Sequence, residues 1–151
     1  MKHYLQYLAT LLTSAWVGGL WAVGFLAVPV LFHAQPDKQL AGMLAGQMFA
    51  LVGYVGTVCG TYLLIYCFGM FGRNAPRQPL FWIVAAMLLI TLAIQCGLQP
   101  VMTDLKAQAL PLDVMHSALA DRFNLLHHIS STIYTIQSLL GIFLVIKSHR
   151  L

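Results

Sequence analysis

Residues 80–98 read LFWIVAAMLLITLAIQCGL, nineteen positions without one charged side chain. About 20 such residues in a helix cross the roughly 30 Å hydrocarbon core of a bilayer. A soluble helix would need a charged face turned to water, and this stretch has none. Three further apolar blocks flank it, over 4–32, 42–71 and 123–146, each long enough to do the same. In hydrocarbon an unpaired backbone amide or carbonyl costs several kcal/mol, so an open chain crosses as helices. The expectation is an all-α bundle of four transmembrane helices, a polytopic membrane protein whose residues 1–151 form a single transmembrane domain. The first block follows Lys2 but is longer than the apolar region of a secretion signal, and no A-x-A-like site follows it, so it reads as a retained anchor.

Composition supports this solvent assignment. Hydrophobic residues make up 60% of the chain and charged residues 8%, against about 25% charged in a soluble domain. Glutamate is absent, and Asp37, Asp104, Asp113 and Asp121 all fall between blocks. The formal charge of +4 comes from scattered single and paired Lys and Arg, with no basic stripe to follow a nucleic-acid backbone. Cys59, Cys67 and Cys96 lie in apolar runs without CxxC spacing, which argues against a disulfide framework or a zinc site.

The distribution of basic residues predicts orientation. Lys2, Arg73, Arg77, Lys147 and Arg150 fall on one side, against Lys38, Lys106 and Arg122 on the other. Because Lys and Arg accumulate on cytoplasmic flanks, both termini and the 72–79 link are expected inside, in the bacterial inner membrane. The links 33–41 and 72–79 are tight. Residues 99–122 are longer, and Val101, Met102, Leu105 and Ala109, then Leu112, Met115 and Leu119, recur at helical spacing. These predict two helical extensions joined near Leu110 and Pro111, forming an outer cap.

Helices in lipid associate through close approach of small residues. Gly42, Gly46, Gly53, Gly56 and Gly60 form one stripe of the second block with two GxxxG matches, and Ser14, Gly18 and Ala22 offer a matching face on the first. The two faces are expected to meet. Trp16 and Trp21 read as mid-span core residues, Trp82 as part of the inner aromatic belt, and Pro29 as a bend at the outer mouth.

In the fourth block His127, Ser131, Tyr134, Ser138 and Gly141 recur at steps of four and three, a polar seam expected to face the bundle with Gln95 and Gln99 as partners. The plain reading is that such groups bond one another or the carbonyls one turn back and set helix register. The sharper one is chemistry. Imidazole and thioether suit copper, and His33, His116, His127 and His128 gather on the outer side with Met43, Met48, Met102 and Met115, without a fixed ligand spacing. Haem or copper is therefore an alternative cofactor; none is favoured. Ser130 and Ser131 stand beside His127 and His128, but no acid is placed to orient the imidazole, so no hydrolytic triad is implied.

The segments Trp16-Val17-Gly18-Gly19, Pro29-Val30-Leu31-Phe32, Ala41-Gly42 with Gly46 and Phe49, and Phe123 with Leu126-His127 and Ser130 resemble the bacterial transmembrane-protein-205-like family, a domain of unknown function. That resemblance implies a compact four-helix membrane protein and no established activity. A looser likeness, to copper-resistance-D-like and protoporphyrinogen-oxidase-like membrane proteins, rests on the Trp-x-Gly-Gly segment; those place a histidine shortly before the tryptophan, and here the nearest is His3. The functional expectation is a small inner-membrane protein without catalytic residues, serving transport or as an accessory subunit, with the bilayer as its environment and a homo-oligomer or membrane complex as its setting. The alternatives are a haem- or copper-binding redox protein, and a protein binding a lipid or apolar small molecule at the outer cap.

Overall fold

The computed structural model describes residues 2–109 and 114–148, with the side chains of Lys2 and His116 outside that description. The described residues are almost entirely helical and contain no strand. Helix α1 (Lys2–Trp21) passes through a π-helical turn (Ala22–Ala27) into α2 (Val28–Ala34); α3 covers Lys38–Phe71 and ends in a 3₁₀ turn (Gly72–Arg77). Helix α4 (Pro79–Ala93) passes through a second π turn (Ile94–Leu98) into α5 (Gln99–Ala109), and α6 covers Ala120–Ser148. Four long apolar rods result: His3–Ala34, Lys38–Arg77, Pro79–Ala109 and Ala120–Ser148. At 1.5 Å per residue even the shortest is roughly 44 Å long, enough to cross the hydrocarbon core and reach both headgroup layers.

The surface confirms the solvent. Val58, Ile65 and Leu89 are 64–67% exposed, and many other large apolar side chains also face outward. A soluble monomer rarely presents such a surface, because apolar area in water is unfavourable in proportion to its size. The chain is a multi-pass membrane protein.

Local chemistry sets the rod ends. Asp37 Oδ1 accepts from the backbone amides of Gln39 and Leu40 at 2.9 and 3.1 Å, which caps α3 and starts it ahead of its apolar run. The neighbouring Lys38 ammonium donates to the carbonyls of Phe32 and Gln35, satisfying the C-terminal end of α2. Gly72 closes α3 at φ +54°, a conformation a side chain would strain. Trp82 Nε1 donates to the Pro76 carbonyl at 2.8 Å and fixes the turn into α4. Of the outer cap, α5 continues the third rod; only a 3₁₀ turn (Val114–His116) precedes α6, and the expected junction at Leu110 and Pro111 lies outside the described residues.

The rods form a square antiparallel bundle in which α1 packs on α3, α3 on α4, α4 on α6 and α6 back on α1. Trp16 fills its centre, fully buried, with Val84, Met87 and Leu144 alongside. Its indole lies on the α3 glycines: a Cβ added at Gly56 would overlap the Trp16 ring, and one at Gly60 would sit 2.9 Å from it and 3.1 Å from Leu88. The glycine stripe is thus a slot for tryptophan. The expected meeting of small faces does not occur, because Ser14 and Ala22 are exposed and a Cβ at Gly18 would touch nothing within 4 Å. With one indole already filling the space between α1 and α3, the small face of α1 turns away. Gly46 also has open space, while Gly42 lies near Lys106 and Phe32.

Replacing Gly56 with Ala should therefore lower the melting temperature of the detergent-solubilised protein, by the equivalent of about 1–3 kcal/mol of overpacking. Gly18→Ala and Gly46→Ala should leave it unchanged or slightly raised, since alanine favours helix and meets nothing. Equal effects at all three positions would contradict the slot.

Candidate functional site

Three of the four buried polar side chains among the described residues, Thr91, Gln137 and Ser138, lie near the two π turns; the fourth is Thr13. Pro29 has no amide to donate, and its ring crowds the carbonyl one turn back. Ahead of it the helix widens, so that the Val28 amide donates five residues back, to Val23. Into this turn comes Tyr134 of α6, whose hydroxyl donates to the Leu20 carbonyl at 2.6 Å. Gly24 admits the phenol ring, since a Cβ there would overlap it, and Phe49 meets the ring edge-on at 5.0 Å. One turn further along α6, Ser138 donates back to the Tyr134 carbonyl at 2.9 Å, and the Ser138 carbonyl accepts from Trp21 Nε1 at 3.2 Å.

The second π turn carries Gln95. Its amide donates to the Ala50 carbonyl at 3.0 Å, and Gly53 leaves room for the side chain. One turn deeper, Gln137 is 2% exposed and donates to Thr91 Oγ1 at 2.6 Å, while Thr91 donates to the Met87 carbonyl at 2.9 Å. Tyr134 thus fastens α6 to α1, Gln137 fastens α6 to α4, and Gln95 fastens α4 to α3. Gln137 and Thr91 were not among the candidate residues read from the sequence. The signal that could have found them is a buried amide and a hydroxyl on facing apolar helices, where each needs a partner.

The remaining candidates lie elsewhere. His127, His128 and Ser131 are exposed, so the polar seam meets the bundle only from Tyr134 inward. Beyond its π turn, α2 packs on α3. His127 lies roughly 30 Å along the helix from Lys147, a separation close to the thickness of a hydrocarbon core. Its ring stacks on Phe123 at 6.2 Å, and the Lys106 ammonium lies 5.5 Å from the Phe123 centroid while donating to the Gly42 carbonyl at 3.0 Å. Gln99 is half-buried, and its backbone carbonyl accepts from Thr103.

Of the metal candidates, His33 is exposed at the end of α2, and His127 and His128 face outward from α6 with ring centroids 6.3 Å apart. The His116 side chain lies outside the described residues. Among those described, no three His, Cys, Asp or Glu side chains come together. The chemistry of the inner polar set is hydrogen bonding between helices.

A family described as a domain of unknown function (DUF4149) matches residues 11–111, two thirds of the chain. The chain belongs to this family. The match takes in the Trp16 slot, both π turns and the Gln95 bond, and stops before α6, which supplies Tyr134 and Gln137. No curated protein and no solved structure matches the chain.

The bonding pattern predicts an asymmetry. Thr91→Val leaves the buried Gln137 amide with only a 3.4 Å contact to the Met87 carbonyl, whereas Gln137→Leu leaves Thr91 its own bond to that carbonyl. Thr91→Val should cost about 1–3 kcal/mol and Gln137→Leu less, with the double variant falling short of their sum, as read from chemical or thermal unfolding in detergent. His127→Ala should be nearly neutral.

Proposed function

We propose that the chain is a non-enzymatic protein of the bacterial inner membrane, with its termini and the 72–79 link in the cytoplasm, acting as an accessory subunit of a membrane assembly. The observation that carries this is the closed centre: Trp16, Val84 and Met87 are 0% exposed and Leu144 1%, all at one level of the bundle. A single copy packed in this way offers no route through its middle, and that favours a subunit role over a solitary carrier. Transport stays within the reading where several copies, or a partner, supply the path. Five of the eight Lys and Arg at one end support the orientation. Kinship with the transmembrane-protein-205-like family is part of the proposal and rests on the segments from Trp16 to Ser130 quoted above.

Two measurements test it. Fluorescent-protein fusions at the 72–79 link should be active and alkaline-phosphatase fusions inactive, with the reverse at 35–37; the opposite pattern would refute the orientation. Extraction of native membrane into polymer discs should recover the chain in an assembly larger than 16.7 kDa. Recovery solely as a monomer, or solute flux above background from the purified monomer in liposomes, would defeat the subunit role.

A further inference from the structure

The end of the bundle carrying Lys2, Arg73 and Ser148 is built differently from the end just described. Here α1 presents His3, Gln6, Thr10 and Thr13 at steps of three, four and three, and with Ser14 and Ser148 they line a crevice of about 320 Å³ between α1 and α6. It continues past Gln6, Thr10 and Thr13 into a narrow space of about 10 Å³ against Tyr66, Val84 and Leu144. At the junction lies Thr13, 2% exposed, whose hydroxyl has no hydrogen-bond partner among the described residues. Among the described residues no side-chain bond engages the Gln6 amide either, although Thr10 donates to its backbone carbonyl at 3.1 Å. Polar groups in a membrane span are unfavourable unless something pairs them, as Thr91 and Gln137 pair each other.

We propose that this crevice binds the phosphate headgroup of an anionic phospholipid from the adjacent leaflet. Three observations select that class. The lining offers hydroxyl, amide and imidazole donors, which suit phosphate oxygens. Lys147 lies exposed in the last turn of α6 beside the lining Ser148, and this end holds Arg73 and Arg77 as well. Asp37, Asp104 and Asp121 lie toward the opposite end, so among the described residues no carboxylate side chain opposes an anion here. Basic, donor-lined gaps between transmembrane helices are a recurring way to hold lipid headgroups. The crevice opens where the first turns of α1 meet the last turn of α6, at the end of the bundle that carries Lys147. The inference stands independently of the subunit role.

The test uses the full chain in detergent, with native mass spectrometry and thermal melting as readouts. Phosphatidylglycerol should be retained and raise the melting temperature, phosphatidylcholine should bind about tenfold more weakly, and diacylglycerol, which lacks the phosphate, should do neither. Thr13→Val combined with Gln6→Leu should weaken phosphatidylglycerol binding at least tenfold while leaving the lipid-free melting temperature unchanged or higher, because an unpaired hydroxyl is removed. Arg122→Ala, at an exposed cation of the opposite end, should change neither. Equal retention of diacylglycerol and phosphatidylglycerol, or full binding by the double variant, would overturn the site. Binding of inorganic phosphate at millimolar concentration with no lipid retained would make the ligand a soluble phosphate and overturn the lipid assignment.

Discussion

In hydrocarbon a helix gains little by burying apolar surface against another helix, because lipid tails solvate it as well, so contact has to come from close fit. Here the fit is one indole against two glycines. Trp16 of α1 rests on the bare backbone of α3 at Gly56 and Gly60 and reaches the centre of the square, where Val84, Met87 and Leu144 complete its surroundings. The arrangement sets the separation of spans 1 and 2, leaves Gly18 facing outward, and closes the bundle at mid-depth. Val17, beside the tryptophan, extends the same logic to α6: a Cβ at Gly141 would come within 3.1 Å of it.

From that level toward the Asp37 end, packing gives way to hydrogen bonding. Each π turn coincides with a polar side chain that crosses to a neighbouring helix, Tyr134 entering at the first and Gln95 leaving from the second. A π turn shifts the helix register by one residue and rotates everything beyond it. In span 1 that rotation, together with Pro29, carries α2 onto α3. The bonds at Leu20 and Ala50 therefore hold the two places where helix direction changes.

The four rods were legible in the sequence because length and apolarity are one-dimensional properties, and 80–98 alone excludes a water-facing helix. The glycine stripe was legible as a packing face, but not its occupant. Small residues on both helices suggest mutual approach, and nothing in a linear pattern says that a tryptophan two residues from Gly18 takes the space instead. The polar seam of α6 shows a subtler limit. His127, Ser131, Tyr134 and Ser138 do share one helical stripe, yet whether a stripe is covered depends on neighbours at each depth, and here cover is lost between Tyr134 and Ser131. Gln137, off that stripe, is only 2% exposed because α4 lies beside it. Angular position on one helix is readable; the angular positions of its neighbours are not.

The two halves of the molecule thus differ in how their polar atoms are satisfied. Toward the Asp37 end, the Gln95 and Gln137 amides, the Thr91 and Ser138 hydroxyls and the Tyr134 phenol meet carbonyls or hydroxyls of the same chain, and the His33, His127 and His128 side chains are exposed. Toward the Arg73 end, Thr13 and the Trp16 indole are buried without a partner among the described residues. Tryptophan offers a single donor on a large apolar ring, and its packing in the glycine slot outweighs that one missing bond. Thr13 has no such compensation: valine would fill nearly the same volume without the orphaned hydroxyl. A buried hydroxyl kept at the junction of a donor-lined crevice and the core makes physical sense when its partner comes from outside the polypeptide.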